Sequence, residues 1–529
     1  MATSASYDVI FVGAGHNALV SAAYLTKAGK RVLLLDRGPV VGGWMRTEEL
    51  TLPGFRHDTF SALHPIFVYG PAFAELGAEL AEHGLRYVQG DVSTASSFPD
   101  GRSAVISTEA AALTAELARL GEQDAWTGLM TDLAPHLDSL MPLLGMDLAT
   151  PAAAGLLAKL DQDNTGALPF AELLAGTGHD LITGRFATDE LRSAVLPWLL
   201  HVGIGPHDAG GALWGALIVA ILGLGNPAPV GGSGKLAEAL AALVTAHGGD
   251  IQPNTTVDAV LVDNQRVTGV RTADNQEFTA TTAVVVTGTP DRLYGHLLRD
   301  VPAVPHGVRA QAARYRFRRG CFQVNLALSA RPHFHDSRLD NGGCHSLGRG
   351  VAELVTSVRQ AEDGVLPAHP SISWHEPTAL DPDRAPAGKG VARLQVLETP
   401  LRPVGDAADA IATTGEWDPD TTQRFADRIV AEAAGHLPGL EDLVLSRHVL
   451  SPSDIAAANP DNAGPGDHGS GHNALAQGFT QRPIAAHRGG YGTAVPGLYL
   501  IGGATWPGPG ISGSSGRAVA QALLAGELG

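Results

Sequence analysis

The feature that most constrains this chain is its start, Tyr7-Asp8-Val9-Ile10-Phe11-Val12-Gly13-Ala14-Gly15-His16-Asn17-Ala18, which leads to Asp36 and then Gly42-Gly43. Val9 to Val12 is a short apolar run of the kind buried inside a parallel sheet. Gly13 allows a sharp turn, and Gly15 lets backbone amides approach a pyrophosphate. Ala18 takes the third small position, where helix and strand must pack closely. The helix that follows, with Asn17 in its first turn and Leu19, Ala22, Ala23, Leu25 and Ala28 inward, aims its positive N-terminal end at phosphates. A second strand, Val32 to Leu35, ends in Asp36-Arg37, where the carboxylate is placed to accept hydrogen bonds from a ribose. It would repel a 2′-phosphate, so the adenine nucleotide is FAD- or NAD-like and not NADP-like.

The continuation Asp36-x5-Gly42-Gly43 favours FAD, because a second glycine turn lets the backbone pass near the cofactor. At this point the sequence resembles the phytoene desaturase-like FAD flavoproteins, a family that includes carotenoid desaturases, desaturase-type ketolases and retinol saturase. The resemblance extends through Gly54-Phe55-Arg56-His57-Asp58 to Ser61 and His64, through Gly231 to Leu236 and Gly248 to Ile251, and through Val284 to Pro290. It closes with Pro496 to Thr505 and Gly510 to Arg517. It implies an extended FAD with Asp36 on the adenosine ribose, Val257 supplying a backbone contact to the adenine, and Gly502-Gly503 ending the last strand. It also implies that His64 lies near the flavin face.

A helix opened by the Gly/Ser-rich turn Gly510-Ile511-Ser512 presents unpaired amides and a positive dipole end. Aimed at the flavin pyrimidine edge, it would stabilise the negative charge of reduced flavin. Many relatives carry a histidine where this chain has Trp506, which either stacks near the isoalloxazine or lines the pocket. His64 and Trp506 are the candidate catalytic positions.

With 529 residues the chain is too long for one ordinary domain. Its motifs predict an α/β fold: a discontinuous Rossmann-like FAD-binding domain of residues 1–90, 227–300 and 475–529, with an interleaved α+β substrate domain of residues 91–226 and 301–474. The first insertion reads as mostly helical. The apolar run 212–224 reads as a buried helix or strand, or a channel wall. A net charge of −18 argues against nucleic acid. Arg314, Arg316, Arg318 and Arg319 form the only dense basic cluster, expected on a solvated face or strand edge, with a lipid-facing patch as the alternative. Two cysteines and a first strand beginning by residue 7 predict a cytoplasmic protein without a signal peptide. Peripheral membrane contact stays open, because substrates in the family are often lipids.

Other motifs weigh less. Asp161 to Glu172 has calcium-loop spacing, but Pro169 and the lack of a paired loop favour an acidic helix-helix turn, and no metal is expected. Histidines 333, 335, 468 and 472 lack ligand-spaced partners and read as surface or loop residues. The chain is therefore predicted to be an FAD-dependent oxidoreductase. It would take a hydride from a hydrophobic polyene or terpenoid to flavin N5, with a desaturase or ketolase outcome and reoxidation by oxygen or a quinone. The alternatives are a flavin oxidase acting on an amine or alcohol, and a non-catalytic lipid-binding protein on the same fold.

Overall fold

A computed structural model describes residues 6–162 and 168–526. Part of the Asp161 to Glu172 segment lies outside the described residues. Two seven-stranded sheets organise the chain. In the first, Ser6–Val12 lies parallel to Val32–Leu35 on one side and to Glu277–Thr287 on the other, and Val32–Leu35 in turn pairs with Asp250–Gln252. The long strand Glu277–Thr287 divides its far edge. Its start pairs antiparallel with Arg266–Thr272, which forms a hairpin with Val257–Asp263, and its end pairs parallel with Leu498–Ile501.

Alternation explains why these strands are apolar throughout. Val9, Phe11, Val32, Leu34, Ala283 and Val285 face a core shared with helices His16–Lys27, Gly234–Ala246 and Ser514–Ala525. Ile10, Leu33, Leu35, Val284 and Val286 face a second core on the opposite side. A strand covered on both faces needs no polar face.

The second sheet runs in the order Val444–Leu450, Gly320–Leu328, Gly390–Thr399, Ile372–His375, Cys344–Leu347, Val92–Ser97, Ser103–Ser107. Residues 91–226 are thus not only helical: their first segment supplies two strands here. On one face, Phe322, Val324, Leu394 and Val396 pack under helix Pro419–Ala434. The helices of residues 110–222 gather into a third core, and the apolar run forms its buried helix Gly211–Leu222. No helix among the described residues is long and apolar enough to cross a membrane.

Half of the basic cluster is ion-paired, while Arg314 and Arg316 are exposed. Arg318 pairs with Asp208 and Glu362, and Arg319, only 6% exposed, also pairs with Glu362. The solvated face holds for Arg314 and Arg316 and fails for Arg319, which is buried because Glu362, distant in sequence, supplies its carboxylate.

Candidate functional site

The C-terminal ends of Ser6–Val12 and Val32–Leu35 open on a cleft lined by Gly13, Gly15, Asn17, Asp36, Arg37, Gly43, Val257, Gly502 and Gly503. Sequence positions from four separate segments meet there. At Gly13 the backbone has φ +93°, and a Cβ would collide with Thr287 Oγ1. Gly15 differs: its backbone is extended, and a Cβ built there meets no atom within 4 Å. The open space lies beside the first turn of helix His16–Lys27, whose amides have no intrahelical acceptor.

Asp36 is held rigidly. Its Oδ2 accepts from the Ala14 amide at 2.7 Å and its Oδ1 from the Gly38 amide at 2.8 Å. Each carboxylate oxygen keeps capacity for a further donor. Arg37 reaches Asp461, which also pairs with Arg292 at the cleft wall. Gly42 supports the turn from outside the lining, its amide donating to Ala14 O at 2.8 Å. Ala18 is a buried helix residue. The cleft fits an extended dinucleotide: room at Gly15, free amides for a pyrophosphate, and an acidic residue at the second strand end.

A second cavity adjoins this cleft, and His16, Trp44 and Gly503 line both. Its walls carry Phe60, Ile66, Trp198, Trp214, Ile218 and Leu222. Gly510 and Ile511 line it too, in the turn that precedes the last helix, Ser514–Ala525. Ser512 lines neither space; its Oγ accepts from the Ser514 amide at 3.2 Å.

Both candidate catalytic side chains lie elsewhere. His64 is fully buried, its Nδ1 hydrogen-bonded to the Tyr87 hydroxyl at 3.0 Å and its Nε2 to the Ser233 hydroxyl at 2.8 Å. Leu63 and Pro65 line the cavity, while His64 turns into the protein. Burial pushes the imidazole down to about 3, which keeps it neutral between its two hydroxyl partners. His64→Leu should lower stability by about 1–3 kcal/mol through the two orphaned hydroxyls and leave the visible spectrum unmoved. A shifted flavin band would contradict this. Trp506 lines neither space: it packs on Trp214 and Phe479 and donates from Nε1 to Leu143 O at 2.6 Å, behind the cavity wall.

The residues that sequence reasoning missed stand at the junction and on the cavity floor. His16 occupies a variable position of the glycine fingerprint, which is why the motif did not mark it. Its Nε2 meets Asn17 Nδ2 at 2.8 Å, and burial pushes it down to about 4 against a hydrogen bond to the Gly510 backbone. His201 and His468 line the cavity, and His472 is buried against Asp208 at 2.9 Å. Positions 468 and 472 lie, as the loop alternative expected, between Pro452–Ala458 and Phe479–Gln481, but their ring nitrogens are turned inward and not to the surface. His179, Asp180 and His207 bring ligating atoms within 4.8 Å of one another at the surface.

Eight histidines (16, 57, 64, 201, 345, 375, 436 and 487) are pushed down to about 3 or 4, chiefly by burial. Their folded values lie below the unfolded value, so their contribution to stability is complete above pH ~6.5 and is lost as pH falls toward ~4. Melting temperature should drop steeply between pH ~7 and ~5. A flat profile would contradict these burials.

Comparisons with known proteins agree with this geometry. The family model described as flavin containing amine oxidoreductase matches residues 19–524. Pyridine nucleotide-disulfide oxidoreductase domain-containing protein 2 of Rattus norvegicus is 26% identical, over 98% of this chain and 93% of its own. One of the subunits of limonene dehydrogenase from Castellaniella defragrans is 23% identical over 98% and 94%. Phytoene dehydrogenase of Streptomyces griseus is 26% identical over 85% and 83%. Among solved structures, a putrescine oxidase variant superposes with TM-score 0.61 at 16% identity, covering 98% of this chain and 99% of that one.

Proposed function

Because the chain belongs to the flavin containing amine oxidoreductase family and is an FAD-dependent oxidoreductase, we propose that it oxidises an apolar, polyene- or terpenoid-like small molecule, with a desaturase or ketolase outcome. The observation that carries this reading is the apolar cavity meeting the nucleotide cleft at His16, Trp44 and Gly503. Two relatives bear the names limonene dehydrogenase and phytoene dehydrogenase, which supports it.

In this reading Gly13, Gly15, Asn17 and the first-turn amides hold the pyrophosphate, while Asp36 and Arg37 hold the adenosine end together with Val257. Ala18, Gly42 and Gly43 keep the turn tight. Gly502, Gly503, Gly510, Ile511 and Ser512 serve the flavin end. Bound there, FAD supplies the two-electron acceptor for hydride removal, and oxygen or a quinone restores it. The chain's own part is to orient the substrate along Trp198, Trp214 and Ile218 and to exclude water. The buried, uncharged His16 leaves the junction without a competing positive charge. Residues 1–90, 227–300 and 475–529 form the FAD-binding domain, and 91–226 with 301–474 the substrate domain. Exposed Tyr69 and Leu224, near cavity residues Ile66 and Ile221, suit delivery from a lipid surface.

An amine oxidase reading gains from the putrescine oxidase likeness in fold. Against it, no Asp or Glu is among the described lining residues, and Arg393 faces the cavity. That charge disfavours a protonated amine. Anaerobic mixing of the FAD-loaded protein with terpenoids, polyenes and primary amines tests the choice. Bleaching of the flavin band by the terpenoid or polyene set is expected. Bleaching by amines alone would overturn the proposal.

A further inference from the structure

The apolar cavity has one polar end whose charge is unbalanced. Its floor is the second sheet, where the rungs Gln323↔Gln395 and Asn325↔Arg393 join neighbouring strands. Alternation sends the apolar partners of these residues under helix Pro419–Ala434 and turns Gln323, Arg393 and Gln395 to the cavity. Arg393 is 8% exposed. Its Nη1 donates to the Phe60 carbonyl, while its buried Nε has no hydrogen-bond partner.

The acidic group acting on it most strongly, Asp58, is already paired with Arg384 at 3.0 Å and accepts from the Ser233 amide at 2.7 Å. One carboxylate against two guanidiniums leaves one positive charge over. The buried carboxylate of Asp467 acts on Cys321, His468 and Arg482 but is not among the groups acting most strongly on Arg393, and the remaining titratable groups around it do not cancel its charge. Burial pushes His201 and His375 down to about 3, lowers His468, pushes the Cys321 thiol up to about 11 and raises that of Cys344. A buried guanidinium without a counter-ion is costly, and here it faces empty space that a ligand can fill. The glutamine amides are available as well, since both donate only to the Cys321 sulfur, a weak acceptor.

We propose that the cavity takes an amphipathic substrate whose carboxylate is received by Arg393, flanked by Gln323 and Gln395, with its apolar chain running toward the His16–Trp44 junction. This rests on the reading of the cavity as the substrate site. A carboxylate suits the surplus of one charge, and a guanidinium that spends only Nη1 on Phe60 keeps donors for its planar, two-pronged geometry.

The test uses the full-length, FAD-loaded protein titrated at pH ~8 with a C20 isoprenoid acid (geranylgeranoic acid) and its methyl ester, read by perturbation of the flavin spectrum. The acid should bind about ten-fold tighter than the ester. Arg393→Gln should erase that preference while leaving ester affinity unchanged, and Arg393→Lys should restore part of it. Gln395→Leu, a milder change, should weaken the acid several-fold and not the ester. Equal binding of acid and ester by the wild-type protein would overturn the inference alone, as would an unchanged ratio in Arg393→Gln. If neither probe binds, the apolar-substrate reading falls and this inference with it.

Discussion

Gly15→Val is expected to give a folded protein that no longer holds FAD. The backbone at Gly15 is extended, which valine adopts readily, and the space a Cβ would enter holds no protein atom within 4 Å. The folded chain therefore tolerates the side chain, at a cost of about 1 kcal/mol for a poorer helix N-cap. The same space is where a pyrophosphate must approach the first-turn amides of helix His16–Lys27, and branched methyls would fill it. FAD affinity should fall at least about 100-fold, or ~2.7 kcal/mol, with circular dichroism and the apoprotein melt nearly unchanged. Gly13→Val is the contrasting case. There φ is +93° and the new Cβ meets Thr287 Oγ1, so stability itself should drop by more than about 2 kcal/mol. Loss of fold in Gly15→Val, or full flavin retention, would contradict the placement of the cleft.

The second large effect is expected at Arg384, outside the linings of both the nucleotide cleft and the apolar cavity. Its guanidinium pairs with Asp58 at 3.0 Å, with the two side chains 2% and 3% exposed. Its Nε donates to Arg56 O, while the Arg56 amide donates to Arg384 O at 2.8 Å. Through these bonds the loop after Ile372–His375 is pinned to the segment following Gly54. Burial pushes the Asp58 carboxyl up, but Arg384 and the Ser233 amide outweigh it and hold the group below the ordinary carboxylate range. Arg384→Met would leave Asp58 buried with only the Ser233 amide and the Thr47 hydroxyl as donors, a loss of about 3–5 kcal/mol in urea unfolding. The double variant Asp58→Asn, Arg384→Met should recover part of it. Because the folded value of Asp58 is lowered, the pair stabilises above pH ~4 and its contribution is lost as pH falls below that. A single variant as stable as the wild type would show that the pair is not the pin.

The nucleotide cleft was legible in the sequence because its signals are local. Apolar runs such as Val9 to Val12, small residues at Gly13, Gly15 and Ala18, and Asp36 at a strand end each follow from the few residues beside them. The substrate side was not legible, because register across distant strands builds it. Gln323 and Gln395 became neighbours only when Gly320–Leu328 and Gly390–Thr399 paired. Their signal was present as polar residues alternating inside strands buried on both faces, such as Phe322-Gln323-Val324-Asn325. The side-chain directions of His64 and Trp506 were not legible for a related reason. A motif fixes where the backbone passes, while long-range partners (Ser233 for His64, Phe479 and Leu143 for Trp506) decide where the side chain points.

The most direct measurement is the visible absorption spectrum of the purified protein, incubated with FAD and then precipitated with acid. The account predicts a flavin spectrum on the native protein and free FAD in the supernatant after precipitation. Colour retained in the pellet would place a covalent link that the geometry of the cleft does not explain. A protein that stays colourless after incubation with FAD would contradict the account at its root.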